Sequence, residues 1–225
     1  MAHLEVSSGD TLARNLANDV AAALGRRLAA DGTAGLVVSG GRTPAAFLRA
    51  LASRELGWTN VTVTLADERR VPADDPASNL RLVREAFANS PASQATIVDI
   101  DPTATHAAAR WSDALARIPR PFAAVVLGMG EDGHFASLFP GMPGLASALD
   151  LFATSDVVDG IAPVEPRARL SLTLPILLDT DLLVLHVTGA AKLATLQRAG
   201  EAGSPLDMPV RALLAQRRVP LEIYY

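Results

Sequence analysis

The sequence predicts an α/β fold, a mainly parallel sheet with helices on both faces. Two observations carry this: short runs rich in Val, Ile and Leu alternate with amphipathic stretches along the chain, and no repeat, low-complexity tract or long linker interrupts the alternation. That is the pattern of successive β-α units, because parallel strands need crossover connections that pack on the faces of the sheet. At 225 residues with 49% apolar composition, the chain can bury one large core, and residues 1–225 are read as a single domain.

Taken in order, strands are expected at 4–7, 35–39, 61–66, 96–100, 123–128, 152–158, 168–174, 181–187 and 221–225, where β-branched and aliphatic residues cluster. Helices are expected at 10–30, 44–55, 79–87, 103–117, 190–199 and 210–215. The first carries Leu12, Leu16, Val20, Ala23, Leu24 and Leu28 on one stripe, the spacing that a core-facing helix requires. The Gly/Pro-rich segments 139–145 and 159–168 read as loops within the domain.

Composition excludes several function classes. The formal net charge is −4 and Lys and Arg occur in short pairs, so no basic face is offered to nucleic acid. With no cysteine there is no disulfide framework, thiolate metal site or Cys nucleophile. The start "MAHLEVSSGD" has no basic leader with an apolar stretch behind it, and no window reaches the roughly eighteen apolar residues of a membrane span. The expected location is the cytoplasm.

Three strand ends carry chemistry. "VVSGGRTPAAFLRAL" runs from a strand through Gly40 and Gly41 into a helix with Thr43 at the N-cap and Pro44 at the first helical position. Glycines expose backbone N–H groups and the helix start is the positive end of its dipole, so the segment reads either as a phosphate cradle or as a plain tight turn. "LADERRVPADDPASN" crowds Asp67, Glu68, Arg69 and Arg70 at another strand end, where ligands bind in open α/β sheets. "LGMGEDGHFASLFPG" places Asp132 two residues before His134 among glycines. Neutral imidazole is abundant near pH 7, and a carboxylate partner sets its tautomer. The glycines on both sides are expected to deny His134 packing neighbours and leave room for a ligand. His3 and His106 are read as surface and His186 as core. No second His or acid follows His134 at metal-ligand spacing, so no metal is expected. Arg169 opens a strand and Lys192 lies in the first turn after Gly189, where two cations and a helix start would converge on an anion.

Together, "SGGRTP", "DERRVP" with "SN" at 78 and 79, "LGMGEDGHFASLFPG", "RLSLTLP", "GAAKLATLQ" and "MPVRALL" resemble the 6-phosphogluconolactonases, over nearly the whole chain and in that family's order. The glucosamine-6-phosphate deaminases share the Gly-x-Gly-x-Asp-Gly-His core but carry an additional catalytic Glu after it. Residues 135–141 here contain no acid.

The resemblance implies a Rossmann-like sheet, no cofactor, no metal, and a sugar-phosphate lactone as substrate attacked by water. It makes His134 the general base, oriented by Asp132, and brings Arg69 to the reacting end. Asp67 would position Arg69 or sugar hydroxyls, and Gly40, Gly41, Arg42, Thr43, Arg169 and Lys192 would hold the phosphate. The oxyanion would rest on Arg69 or on a backbone N–H of the glycine turn. Arg42 and Arg70 depart from the family's usual small polar and apolar residues. A monomer or weak dimer is expected. The alternatives are an amino-sugar phosphate deaminase and a sugar-phosphate sensor without turnover.

Overall fold

The computed structural model describes residues 4–5, 9–41 and 43–225. Among the described residues ten strands and eight α-helices follow in chain order: β1 (Leu4–Glu5), α1 (Gly9–Asp31), β2 (Ala34–Val38), α2 (Pro44–Ala52), β3 (Val61–Leu65), β4 (Asp67–Arg69), α3 (Asn79–Phe87), β5 (Thr96–Ile97), α4 (Ala107–Leu115), β6 (Ala124–Gly128), α5 (Leu145–Leu149), β7 (Val157–Ile161), β8 (Ala168–Leu172), α6 (Leu174–Leu177), β9 (Leu183–His186), α7 (Ala190–Ala199), α8 (Val210–Ala215) and β10 (Leu221–Tyr224).

Seven strands form one sheet in the order β1-β10-β9-β6-β2-β3-β5, and every pairing in it is parallel. The expected fold class is the one observed. β2 is buried at all five positions and β9 at all four, as central strands covered on both faces must be. On α1, Leu12, Leu16, Val20, Ala23 and Leu24 are each at most 2% exposed, and Leu28 packs at the margin of the same apolar cluster.

A second, three-stranded antiparallel sheet, β4-β8-β7, was not foreseen. Its β4 is charged and only three residues long, so no apolar run announces it. The strand expected at 152–158 begins instead at Val157 and continues through Asp159 and Gly160 into the segment read as loop. Asp159 and Ile161 share one face of β7 and are exposed, while Gly160 between them lies on the opposite face and is buried. The two sheets meet at Ala66, whose N–H donates to Val38 O (2.8 Å) in the large sheet while its carbonyl accepts from Leu172 N (2.9 Å) in the small one.

Other boundaries moved for local reasons. The run at 168–174 stops at Leu172 because Pro175 opens the short helix α6. α4 starts four residues later than expected, since Asp101 accepts from Thr103 N–H and hydroxyl in a turn and His106 adopts the left-handed region at φ 59°. α5 is five residues long, too short to leave a periodic signal.

Candidate active site

Along the large sheet the chain leaves β2 for β3 and β5 on one side, then returns to β6 on the other. Adjacent β2 and β6 therefore form a topological switch point, and the crevice beyond their carboxyl ends is the natural binding place in such a sheet. The segments that leave there are the Gly40–Gly41 turn and the His134 loop. A pocket of about 200 Å³ opens at this point, lined by Gly40, Gly41, Thr43, Asp67, Arg69, Asn79, Gly130, His134 and Lys192 among others. All three polar strand ends singled out in the sequence contribute to it.

His134 is held on several sides. Its Nδ1 lies 2.5 Å from Asp132 Oδ1, which also accepts from the His134 N–H at 3.1 Å. The ring rests on Phe139, with centroids 4.2 Å apart. The loop closes on itself through Gly130 N–H to His134 O (2.9 Å) and Gly133 N–H to Gly130 O (3.1 Å). It is tied to the helices behind it by Thr195 Oγ1 to Glu131 O (2.8 Å) and Val210 N–H to Gly133 O (2.8 Å). The expectation of a ring without packing neighbours is thus corrected: Phe139, five residues on, supplies one.

Partial burial pushes the Asp132 carboxyl upward, but the hydrogen bonds and charge of His134 outweigh it and hold Asp132 below the ordinary carboxylate range. An ionised Asp132 can only accept, so Nδ1 carries a hydrogen, and in the neutral ring the lone pair falls on Nε2.

Asp67 and Arg69 lie two residues apart on β4, on one face of the small sheet. Asp67 accepts from Ser137 Oγ at 2.6 Å, and its main-chain carbonyl accepts from Asn79 Nδ2 at 2.8 Å. Arg69 donates through Nη1 to Ala77 O at 2.5 Å. Glu68, between them, points the other way and is fully buried. Its carboxyl accepts from Arg69 N–H (2.6 Å), Asn79 N–H (2.8 Å), Leu80 N–H (2.7 Å) and Ser78 Oγ (3.0 Å), fastening the start of α3 beneath β4. Burial raises its pKa, with these four donors opposing. Sequence reasoning gave neither Glu68 nor Asn79 a role. The signal was the "SN" pair eleven residues after Asp67, a helix start placed to meet the acid.

At the other end of the pocket, Thr43 occupies the N-cap position of α2, with Pro44 behind it, but its side chain does not cap the helix. Its Oγ1 instead lies 3.2 Å from Thr188 Oγ1, just before α7. The starts of α2 and α7 are thereby joined beside Gly40, Gly41 and Lys192. Arg169 is 6% exposed on β8, directly across the ladder from Arg69, and does not line the pocket. Burial first, then the positive charge of Arg69, lower its pKa, with Asp67 and Glu68 opposing. Arg42 lies outside the described residues. Arg70 turns away to a 2.8 Å ion pair with Asp159 on β7.

His106 is exposed and His186 is 4% exposed, as read from the sequence; His3 lies outside the described residues. Among the described residues no group of three or more His, Cys, Asp or Glu side chains is arranged to hold a metal ion, and no helix is long and apolar enough to cross a membrane.

Comparison with known proteins identifies the family. Residues 7–221 match the family described as glucosamine-6-phosphate isomerases/6-phosphogluconolactonase. A 6-phosphogluconolactonase of Rhizobium meliloti is 45% identical over 217 residues, covering 95% of this chain and 94% of its own length. One from Pseudomonas putida is 44% identical over 225 residues, covering 98% and 91%. The crystal structure of a 6-phosphogluconolactonase from Shewanella baltica superposes with a TM-score of 0.94 at 36% identity, covering 99% of this chain and 97% of that one. A shared fold, near-complete coverage and a polar crevice at the switch point lead to one conclusion: the chain belongs to the glucosamine-6-phosphate isomerase/6-phosphogluconolactonase family.

Proposed function

We propose that this chain hydrolyses 6-phospho-D-glucono-1,5-lactone to 6-phospho-D-gluconate in the oxidative pentose phosphate pathway, with His134 assisting the attack of water on the lactone carbonyl. The activity, 6-phosphogluconolactonase, is that of relatives at 44–45% identity over nearly their full length. The observation that carries the mechanism is the Asp132–His134 pair, opening into the same pocket as Arg69, Gly40, Gly41 and Lys192.

Hydrolysis begins as water attacks C1 and gives a proton to Nε2 of His134, while Asp132 stabilises the imidazolium that forms. The carbonyl π electrons move onto oxygen, making a tetrahedral oxyanion. The N–H groups of Gly130 and Gly133 are engaged within the loop, and that of Gly128 faces Ser39 Oγ at 3.4 Å. This favours the Arg69 guanidinium as the oxyanion's donor, a contribution typically about 3 kcal/mol. When the oxyanion collapses, the C1–ring oxygen bond breaks and His134 returns the proton to the departing oxygen.

Asp67, held by Ser137 and not paired with Arg69, accepts from sugar hydroxyls. Gly40, Gly41, Thr43 and Lys192 take the phosphate, with Arg169 acting from behind Arg69. The phosphate does not react; its binding energy aligns C1 with His134. The chain works as one domain over residues 1–225, in the cytoplasm and without cofactor, a reading that the continuous apolar core supports for the domain.

His134→Ala is expected to lower kcat by about 10²- to 10⁴-fold while the affinity for 6-phosphogluconate stays nearly unchanged. The check is turnover of freshly generated lactone, corrected for spontaneous hydrolysis, beside calorimetric binding of the product. Near-normal turnover would reject the assignment.

A further inference from the structure

Between His134 and the small sheet lies a residue that enters the steps above only as a hydrogen-bond partner of Asp67. Ser137 is 1% exposed, three positions after His134, and its side chain and main chain each reach a different strand. Its Oγ donates to Asp67 Oδ2 on β4 at 2.6 Å, and its N–H donates to Ser171 Oγ on β8 at 3.1 Å. Asp67 and Ser171 are themselves directly opposed in the β4–β8 ladder, so the one residue clasps a cross-strand pair. The Ser137 carbonyl passes so near β7 that a Cβ on Gly160 would lie 2.8 Å from it. Ala136, a pocket-lining residue, sits just before it at φ 48°, a conformation costly for a residue with a Cβ and kept only where its surroundings impose it. The loop is thus turned sharply so that His134 faces the pocket and Ser137 faces the small sheet.

We propose that Ser137 is a positioning residue acting through Asp67: its hydroxyl fixes one carboxylate oxygen so that the other meets a ring hydroxyl of the substrate in register with His134. Among the described residues the second oxygen, Oδ1, has only the long 3.5 Å contact from Asn79 Nδ2, which leaves it lone pairs for a ligand. A carboxylate free to rotate about its χ2 would spread that acceptor over several directions. One strong O–H donor on the buried side removes this freedom before substrate arrives. The inference rests on the reading of Asp67 as the hydroxyl acceptor.

The test is a double-mutant cycle in kcat/KM with Ser137→Ala and Asp67→Asn, using the phosphorylated lactone. Ser137→Ala alone is expected to lower kcat/KM at least about tenfold, roughly what loss of one aligned hydrogen bond to a charged group removes. In the Asp67→Asn background it should add less than about twofold, because the group through which it acts is already altered. Ser137→Cys, close in size with a weak donor, should follow Ser137→Ala, and it serves in the cycle if the alanine variant does not fold. Unphosphorylated gluconolactone should show the same proportional loss, since the phosphate end is untouched. Ser137→Ala within about twofold of the unaltered protein, or equal losses in both backgrounds, overturns the role of Ser137 alone. Full activity in Asp67→Asn overturns the reading of Asp67, and the inference with it.

Discussion

At Gly130 a Cβ would lie 2.2 Å from Cε1 and Nδ1 of the His134 ring and 2.6 Å from Asp132 Oδ1. The ring cannot yield cheaply, because it is bonded to Asp132 on one side and packed on Phe139 on another. Gly130→Ala is therefore expected to displace the imidazole, lowering kcat by about 10²-fold and the melting temperature with it; steady-state kinetics beside a thermal melt checks both. Gly40 is constrained in the same manner, since its Cβ would fall 1.8 Å from Asn79 Oδ1. The glycines of both motifs were visible in the sequence, but their reason was not. They were read as exposing backbone and freeing space, whereas at these two positions a side chain from elsewhere occupies that space. Such contacts depend on residues 2 to 39 positions away, and spacing along the chain carries no record of them.

Among the elements, α3 shows how a buried charge can fix a site without touching it. Glu68 takes the N–H groups of Asn79 and Leu80, the free donors of the helix start, together with the Ser78 hydroxyl and Arg69 N–H. Glu68→Gln keeps one acceptor oxygen and turns the other into a donor facing donors. The expected cost is about 1–3 kcal/mol, read as a lower urea midpoint with unchanged slope, and KM should rise as Arg69 and Asn79 lose their support.

Helices and strands with strong periodicity, α1, α3, α7, α8, β2, β3, β6 and β9, were legible in the sequence to within a few residues. The small sheet was not. β4 is a run of charges, and it is a strand only because β8 supplies the hydrogen-bonding partner. Tertiary pairing overrode local propensity there. The consequence reached the site: three of the four residues read as crowding a strand end, Asp67, Glu68 and Arg69, form a strand of their own, Arg69 facing Arg169.

For the whole molecule, His186 sets an acid limit. It ends β9 beside Gly128 and Tyr224, 4% exposed, with Nδ1 buried and unbonded. Burial, and secondarily the charge of Lys192, lowers its pKa to about 4. An unfolded chain protonates this histidine near 6.5, so between about pH 6.5 and 4 the unfolded state binds a proton that the folded state refuses. Stability is full above 6.5 and declines as the pH falls toward 4, by about 3 kcal/mol in all at 1.36 kcal/mol per unit. Denaturant melts from pH 7 to 4 should show this decline, and His186→Gln should flatten it. The fold class and the convergence of three polar strand ends followed from the sequence because parallel topology gathers strand ends at one edge. Which two ends would be neighbours depended on strand order, which no local pattern encodes.

Ala66 belongs to both sheets, donating its N–H to Val38 and lending its carbonyl to Leu172. A corner pinned through a single residue cannot fold open on one side without loosening the other. The loop that carries His134 leaves the large sheet and Arg69 stands on the small one, so the two sides of the pocket are linked through the backbone of this residue. On the reaction proposed above, the general base and the oxyanion's donor would stand on two sheets already hinged together before a ligand enters.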